Sequence, residues 1–163
     1  MNGNAPSILP DGRHRYAVRV YYEDTDAGGV VYHATYLRFA ERARTEALRD
    51  LGIPHAELLQ RFTLMFVVRR IEVDYLRPAH LDDSLTVVTE PLAVGGASVL
   101  LRQDVRRKHE SCAVLTVRLA CVRPDEGRPG RLPQRWRTTL TTMCKAARGS
   151  GQTEQASGQR DRG

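Results

Sequence analysis

The chain of 163 residues has room for one domain with a core of useful size. Its 41% apolar and 27% charged residues are ordinary for a globular protein, and no apolar run is long enough to span a membrane. The net charge of +6 suits a polyanionic ligand, a nucleic acid or an anionic surface without distinguishing them. No basic run is interleaved with stacking aromatics, so a nucleic-acid partner is not expected.

Met1 to His14 is polar, with Pro6 and Pro10, and reads as a flexible N-terminus. It lacks the basic region and apolar stretch of a secretory signal, so a cytoplasmic location is expected. Tyr16 to Tyr22 is strand-like. Thr35 to Leu51 is the only long helical pattern: Tyr36, Ala40, Ala43, Ala47 and Leu51 recur at three- and four-residue steps, widened by Leu37 and Leu48. Its alanines would let a sheet curl closely around it. Gly52 and Pro54 end it, and His55 to Gln60 suits a second short helix.

The period then changes to two. Met65, Val67, Ile71, Val73 and Tyr75 alternate with Arg70, Glu72 and Asp74. A turn over His80 to Ser84 leads to a strand over Leu85 to Thr89. Gly95-Gly96 marks a hairpin or bulge. Ser98 to Val105 and Ala113 to Val122 are strands joined by a charged turn, Arg106 to Ser111. One strand, a helix and four more strands predict an α+β domain with a mainly antiparallel sheet.

Pro124 to Pro133 is a loop, and Gln134 to Ala146 fits a strand or a short helix equally. The domain is expected to span 15–146. Residues 147–163, Gly/Ser/Gln-rich and without a large apolar side chain, are expected to be a disordered tail. Cys112, Cys121 and Cys144 have neither metal spacing nor a paired framework and are expected as reduced thiols. The odd separation of Cys112 and Cys121 would point them to opposite sheet faces.

The chemistry concentrates between the first strand and the long helix, in Tyr22-Glu23-Asp24-Thr25-Asp26-Ala27-Gly28-Gly29-Val30-Val31-Tyr32-His33. A helix start exposes unpaired N–H groups and the positive end of the macrodipole. A carboxylate beside it can attack a carbonyl, or direct water at it, while N–H groups hold the carbonyl oxygen. That arrangement suits acyl transfer or hydrolysis. The alternative is a capping loop with two solvated acids.

That string, followed by Tyr36-Leu37 and Glu41-Arg42-Ala43-Arg44, closely resembles the 4-hydroxybenzoyl-CoA thioesterase family. The subgroup it resembles most is the acyl-CoA thioesterases associated with the bacterial Tol-Pal system (YbgC-like). The resemblance continues through Phe66-Val67-Val68-Arg69-Arg70, Asp74-Tyr75, Arg77-Pro78-Ala79 and Leu81-Asp82-Asp83, and covers roughly residues 15–140. It implies a hotdog fold, with a long central helix wrapped by an antiparallel β-sheet and active sites at a dimer interface. It implies hydrolysis of acyl-CoA, a homodimer or homotetramer, no metal and no cofactor beyond the coenzyme A carried by the substrate. A different reading is an acyl-carrier-protein or membrane-biogenesis interaction module with little turnover. A hotdog dehydratase would need a histidine pattern that the helix lacks.

Asp26 aligns with the family's catalytic aspartate, as nucleophile or as general base. A thioester suits a single carboxylate because thiolate leaves with little protonation. Asp24 reads as a loop tie. His33 falls where the family presents the backbone N–H that polarises the thioester, and its imidazole is a second candidate donor or base. Gly28 and Gly29 suit close backbone approach or positive φ, and with Val30 and Tyr32 they form the substrate-binding set. Glu41, on the helix, is a rival carboxylate. Arg69 is a candidate for substrate phosphates; plain alternation would separate it from Arg70. Family members with basic residues near the Gly95-Gly96 position use them on coenzyme A; Val94-Gly95-Gly96-Ala97 departs from that pattern.

Overall fold

A computed structural model describes residues 7–157, with side chains described to 150. The chain opens with a turn over Ser7 to Arg13, closed by an Ile8–His14 bridge, and enters β1 (His14–Arg19). The expected boundary at 14/15 therefore falls inside a strand. A 3-10 turn at Tyr22–Asp24 and the glycine loop lead to α1 (Thr35–Asp50) and α2 (His55–Phe62). Five strands follow: β2 (Met65–Tyr75), β3 (Ser84–Val94), β4 (Ser98–Arg107), β5 (Glu110–Arg123) and the two-residue β6 (Arg128–Pro129). The last element is α3 (Gln134–Ser157).

The strands form one antiparallel sheet in the order β1-β3-β4-β5-β2, with β6 beside β5. Hairpins link β3 to β4 and β4 to β5, which explains their adjacency. The sheet curls around α1, the hotdog arrangement. Tyr36, Phe39, Ala40, Ala43, Ala47 and Leu48 of α1 are buried against it. Three alanines on that face keep the helix close. From the sheet, Leu85, Val87, Val99, Val105, Leu115 and Val117 complete the core at near-zero exposure.

One polar knot ties α1 to the sheet. The fully buried Gln103 of β4 donates from Nε2 to the Ala40 carbonyl and to Thr89 Oγ1, each at 2.9 Å. Its Oε1 accepts from Arg44 Nη1 at 2.9 Å.

Three expectations need correction. First, β2 does not alternate throughout. Val68 pairs with Leu119 and Arg70 with Arg118, so Arg69 is an extra residue in a bulge. The bulge resets the period. Phe66 lies with Ile71 and Val73 against the core, whereas Met65 is exposed. Arg69 and Arg70 flank this break, so plain alternation no longer separates them.

Second, Cys112 is the extra residue of another bulge: Val105 pairs with Ala113, but Arg106 pairs with Ser111. Cys112 and Cys121 consequently share one core instead of facing opposite ways. All three cysteines are free and buried, and burial pushes the Cys112 and Cys121 thiols up.

Third, Gln134 onward is helix, and α3 continues past residue 146 to Ser157, where a disordered tail was expected. Its first turns are integral. Trp136 is fully buried and packs on Phe66 with ring centroids 6.2 Å apart. The Leu92 carbonyl of β3 accepts from Cys144 Sγ at 3.3 Å and from Arg148 Nη2 at 2.8 Å. The first six and last six residues of the chain lie outside the described residues, including the end of the expected tail.

Candidate active site

The loop between β1 and α1 is a closed, hydrogen-bonded structure. Thr25 and Val31 form an antiparallel bridge. Inside it, the Asp26 N–H donates to the Val30 carbonyl at 2.9 Å, and the Gly29 N–H to the Asp26 carbonyl at 3.0 Å. Gly29 has φ +76°, a conformation that a side chain would strain. Gly28 serves differently. A Cβ there would sit 3.1 Å from Asp26 Oδ1, so its absence leaves room for the carboxylate.

Asp26 is exposed, and its Oδ1 accepts the Gly28 N–H at 2.8 Å. The carboxylate is thus oriented by its own loop, with Oδ2 left to solvent or substrate among the described residues. Asp24 is its opposite. It is buried, accepts the Tyr21 N–H on Oδ2 at 2.9 Å, and takes the Tyr32 N–H on its carbonyl at 2.9 Å. These bonds tie the start of the loop to its end.

The loop is docked on the segment after β2. The Val31 N–H donates to the Ala79 carbonyl at 2.8 Å, and Val30 bridges to His80. Tyr36, buried in the first turn of α1, accepts the Ala79 N–H at 3.3 Å, and burial raises its phenol. His80 is fixed in turn: its N–H donates to Asp83 Oδ2 at 2.8 Å, and Arg107 holds the same oxygen at 3.1 Å.

At the helix start, Ala34 is the N-cap and supplies no side-chain cap. The His33 carbonyl accepts from the Tyr75 hydroxyl at 2.8 Å. Among the described residues none accepts from the His33 N–H. His33, an exposed residue one position before the N-cap, thus carries a main-chain donor without a partner among the described residues, on the same loop as Asp26 and suited to an oxygen that gains charge. The His33 ring lies 4.4 Å from the Tyr32 ring, both exposed, and edge-on to Tyr75 at 6.5 Å.

Sequence reading left Tyr75 without a role, although Asp74-Tyr75 was part of the resemblance. Its hydroxyl holds the His33 carbonyl, in the peptide unit that follows the one carrying the candidate donor. Tyr75→Phe is expected to lower kcat several-fold while changing stability by about 1 kcal/mol or less. Paired kinetics and thermal melts check this; a catalytic loss as deep as that of removing Asp26 would contradict a positioning role.

Asp26, Gly28, Gly29, Val30, Tyr32 and His33 thus form one group. Arg69 stands apart, exposed in its bulge six residues before Tyr75, about 20 Å along the strand. Glu41 is also outside the loop. It is exposed on α1 and borders a largely apolar cavity of about 350 Å³ between α1, α3 and the sheet. That cavity runs along α1 from Leu37 to Leu51 and does not include Asp26 or His33 in its walls.

His55 lines the cavity as well. Burial pushes its imidazole below the ordinary value; Arg44 and Arg49 act in the same direction and Glu41 opposes them. The unfolded chain binds this proton near pH ~6.5 and the folded chain only at lower pH. Stability from this group is therefore full above pH ~6.5 and falls as the pH drops below it. His55→Gln should flatten the acid-side decline of Tm that begins below about pH 6.5. An unchanged slope would refute the assignment.

A helix wrapped by its sheet, with an open N-terminus beside a carboxylate loop, places the chain among the hotdog-fold thioester hydrolases. Residues 28–114 match the family described as Thioesterase superfamily. Acyl-CoA thioesterase YbgC of Haemophilus influenzae is 48% identical over 124 residues, covering 76% of this chain and 91% of the relative. Acyl-CoA thioester hydrolase YbgC of Escherichia coli O6:H1 is 45% identical over 121 residues, covering 74% and 90%. Among solved structures, "Probable Thioesterase from Bartonella henselae" superposes with a TM-score of 0.71 at 40% identity, covering 74% of this chain and 99% of that one. The chain belongs to the thioesterase superfamily and is a YbgC-like member of it. These relatives do not favour the interaction-module reading. Among the described residues no helix is long and apolar enough to cross a membrane.

Proposed function

We propose that the protein hydrolyses acyl-CoA thioesters to the free acid and coenzyme A, using Asp26 as the reacting carboxylate. The observation that carries this is the unoccupied His33 N–H, one residue before the N-cap of α1 and on the same hydrogen-bonded loop as Asp26. The names of the YbgC relatives support acyl-CoA as the substrate class. In this reading the thioester oxygen accepts from the His33 N–H. Asp26 either attacks the carbonyl carbon or takes a proton from the attacking water, and the thiolate of coenzyme A leaves. Gly28, Gly29, Val30 and Tyr32 shape the approach to the reacting carbon. In the same reading Arg69 meets the distant phosphates and the His33 imidazole orders the water.

The same reading takes the working unit to be at least a homodimer, in the cytoplasm. β2 is an edge strand whose backbone groups on one side pair with no other described strand, and Val68 and Tyr75 are exposed along it. Such an edge invites a second copy, which would bring another surface over the loop. Pairing of dimers into a tetramer, acyl carrier protein as an acyl donor and a Tol-Pal context extend this proposal.

The test is a panel of short, long and aromatic acyl-CoA thioesters, followed by thiol release, with sedimentation on the same sample. Steady turnover of some of the panel by a dimer or larger assembly is expected. Binding without turnover across the panel would remove the hydrolytic reading. A fully active monomer would remove the interface-built site.

A further inference from the structure

The apolar cavity along α1 has one feature that an acyl-chain tunnel does not need. Arg44, only 9% exposed, forms part of its wall. Of its five N–H donors, one is used, by the neutral Gln103 Oε1 at 2.9 Å. No carboxylate lies within ion-pair distance of it among the described residues. Gln103 cannot neutralise the charge, and its amide group is already committed to Ala40 and Thr89. Burying a cation without a counter-charge is costly, and burial already pulls the Arg44 guanidinium below its ordinary range. Glu41, one turn earlier, favours the charged form, but it is exposed and its field is screened by solvent.

Position adds to this. Leu37, at the near end of the cavity, is four residues beyond His33. Arg44 is seven residues farther along the helix, about 10 Å at 1.5 Å per residue. Counted from His33 the span to Arg44 is eleven residues, about 16 Å along the axis, shortened because a helical arginine leans back toward the helix start. Between the two lie apolar walls, including Phe66, Val99 and Leu101.

We propose that this cavity receives an acyl group with a carboxylate at its distal end, held by Arg44: the substrate is the half-thioester of a dicarboxylic acid. The inference rests on the acyl-CoA thioesterase reading. A methyl-terminated chain would bring neither a counter-charge nor an acceptor to the guanidinium nitrogens that Gln103 leaves unused. A terminal carboxylate supplies the missing charge and accepts two parallel N–H bonds from the guanidinium fork. His55, on the same wall, is a further polar neighbour for that end.

The test compares matched thioesters, octanoyl-CoA against suberyl-CoA, with adipyl- and sebacyl-CoA to scan length. On wild-type protein, kcat/KM should favour the best ω-carboxyl substrate by about tenfold or more over its methyl-terminated counterpart. In Arg44→Met that preference should fall about tenfold or more, and Arg44→Lys should restore part of it. A general loss of activity with the ratio unchanged would overturn the proposal, since a merely structural role lowers both substrates together. A wild-type preference for the methyl-terminated chain would also overturn it.

Because Arg44→Met removes a buried bond and could fail to fold, free suberate and octanoate are also titrated into wild-type protein by calorimetry. Tighter binding of suberate, by about tenfold, is expected; equal binding overturns the proposal. That readout stands without turnover. Failure of the whole acyl-CoA panel with suberate still bound would sink the hydrolytic reading and leave the carboxylate site.

Discussion

Asp26→Asn is expected to fold normally and to lose at least about a hundredfold in kcat, some 2.7 kcal/mol of transition-state stabilisation. The fold should survive because an asparagine Oδ1 can still accept the Gly28 N–H that Asp26 accepts at 2.8 Å. The room left by Gly28 is also unchanged. What disappears is the negative charge, needed for either attack or proton abstraction. Two controls sharpen the result. Asp24→Asn should act on thermal stability, because Asp24 is buried and bonded to its own loop. His33→Ala keeps the main-chain N–H, so it should cost less than Asp26→Asn unless the imidazole takes part. Near-normal turnover in Asp26→Asn would remove Asp26 from the chemistry.

Trp136→Ala should be the most damaging single truncation for stability, at about 3–5 kcal/mol. Trp136 is fully buried and packs on Phe66, so its loss opens a large void between α3 and β2. Such a cost is a sizeable part of the stability of a domain this size. Trp136→Phe should be far milder. The indole N–H has no partner among the described residues, so its removal sacrifices area but no hydrogen bond. Denaturant midpoints measure both. A small effect of Trp136→Ala would mean that α3 is a loosely attached appendage.

Much of the architecture was legible because it rests on local rules. The α1 stripe, its Gly52 stop and the β3–β4 turn at Gly95-Gly96 all follow from periodicity and turn chemistry. The candidate loop was legible as a string, and its residues share one hydrogen-bonded turn between β1 and α1. The misses have non-local causes. The bulges at Arg69 and Cys112 depend on how two strands pair, which no single strand reveals. α3 was ambiguous because Thr138, Thr139, Thr141 and Thr142 favour strands locally, and packing of Trp136, Leu140 and Met143 overrides that preference. Tyr75 was missed as a partner of His33 because forty-two positions separate them in sequence. Arg44 was quoted within a motif, but only the folded chain shows that its charge is buried beside a cavity.

The bulge at Arg69 also decides which kinds of change the gene can absorb. The side chain there is exposed, so exchanging it leaves the strand's register intact. Deleting the codon would remove only the extra residue. Val68 would still pair with Leu119 and Arg70 with Arg118, now in plain alternation, with Phe66 on the face that carries Ile71 and Val73. Phe66 would stay on Trp136. A scan that includes deletions should therefore find this site tolerant of loss as well as of exchange, because the bulge adds local twist without deciding which neighbours face inward.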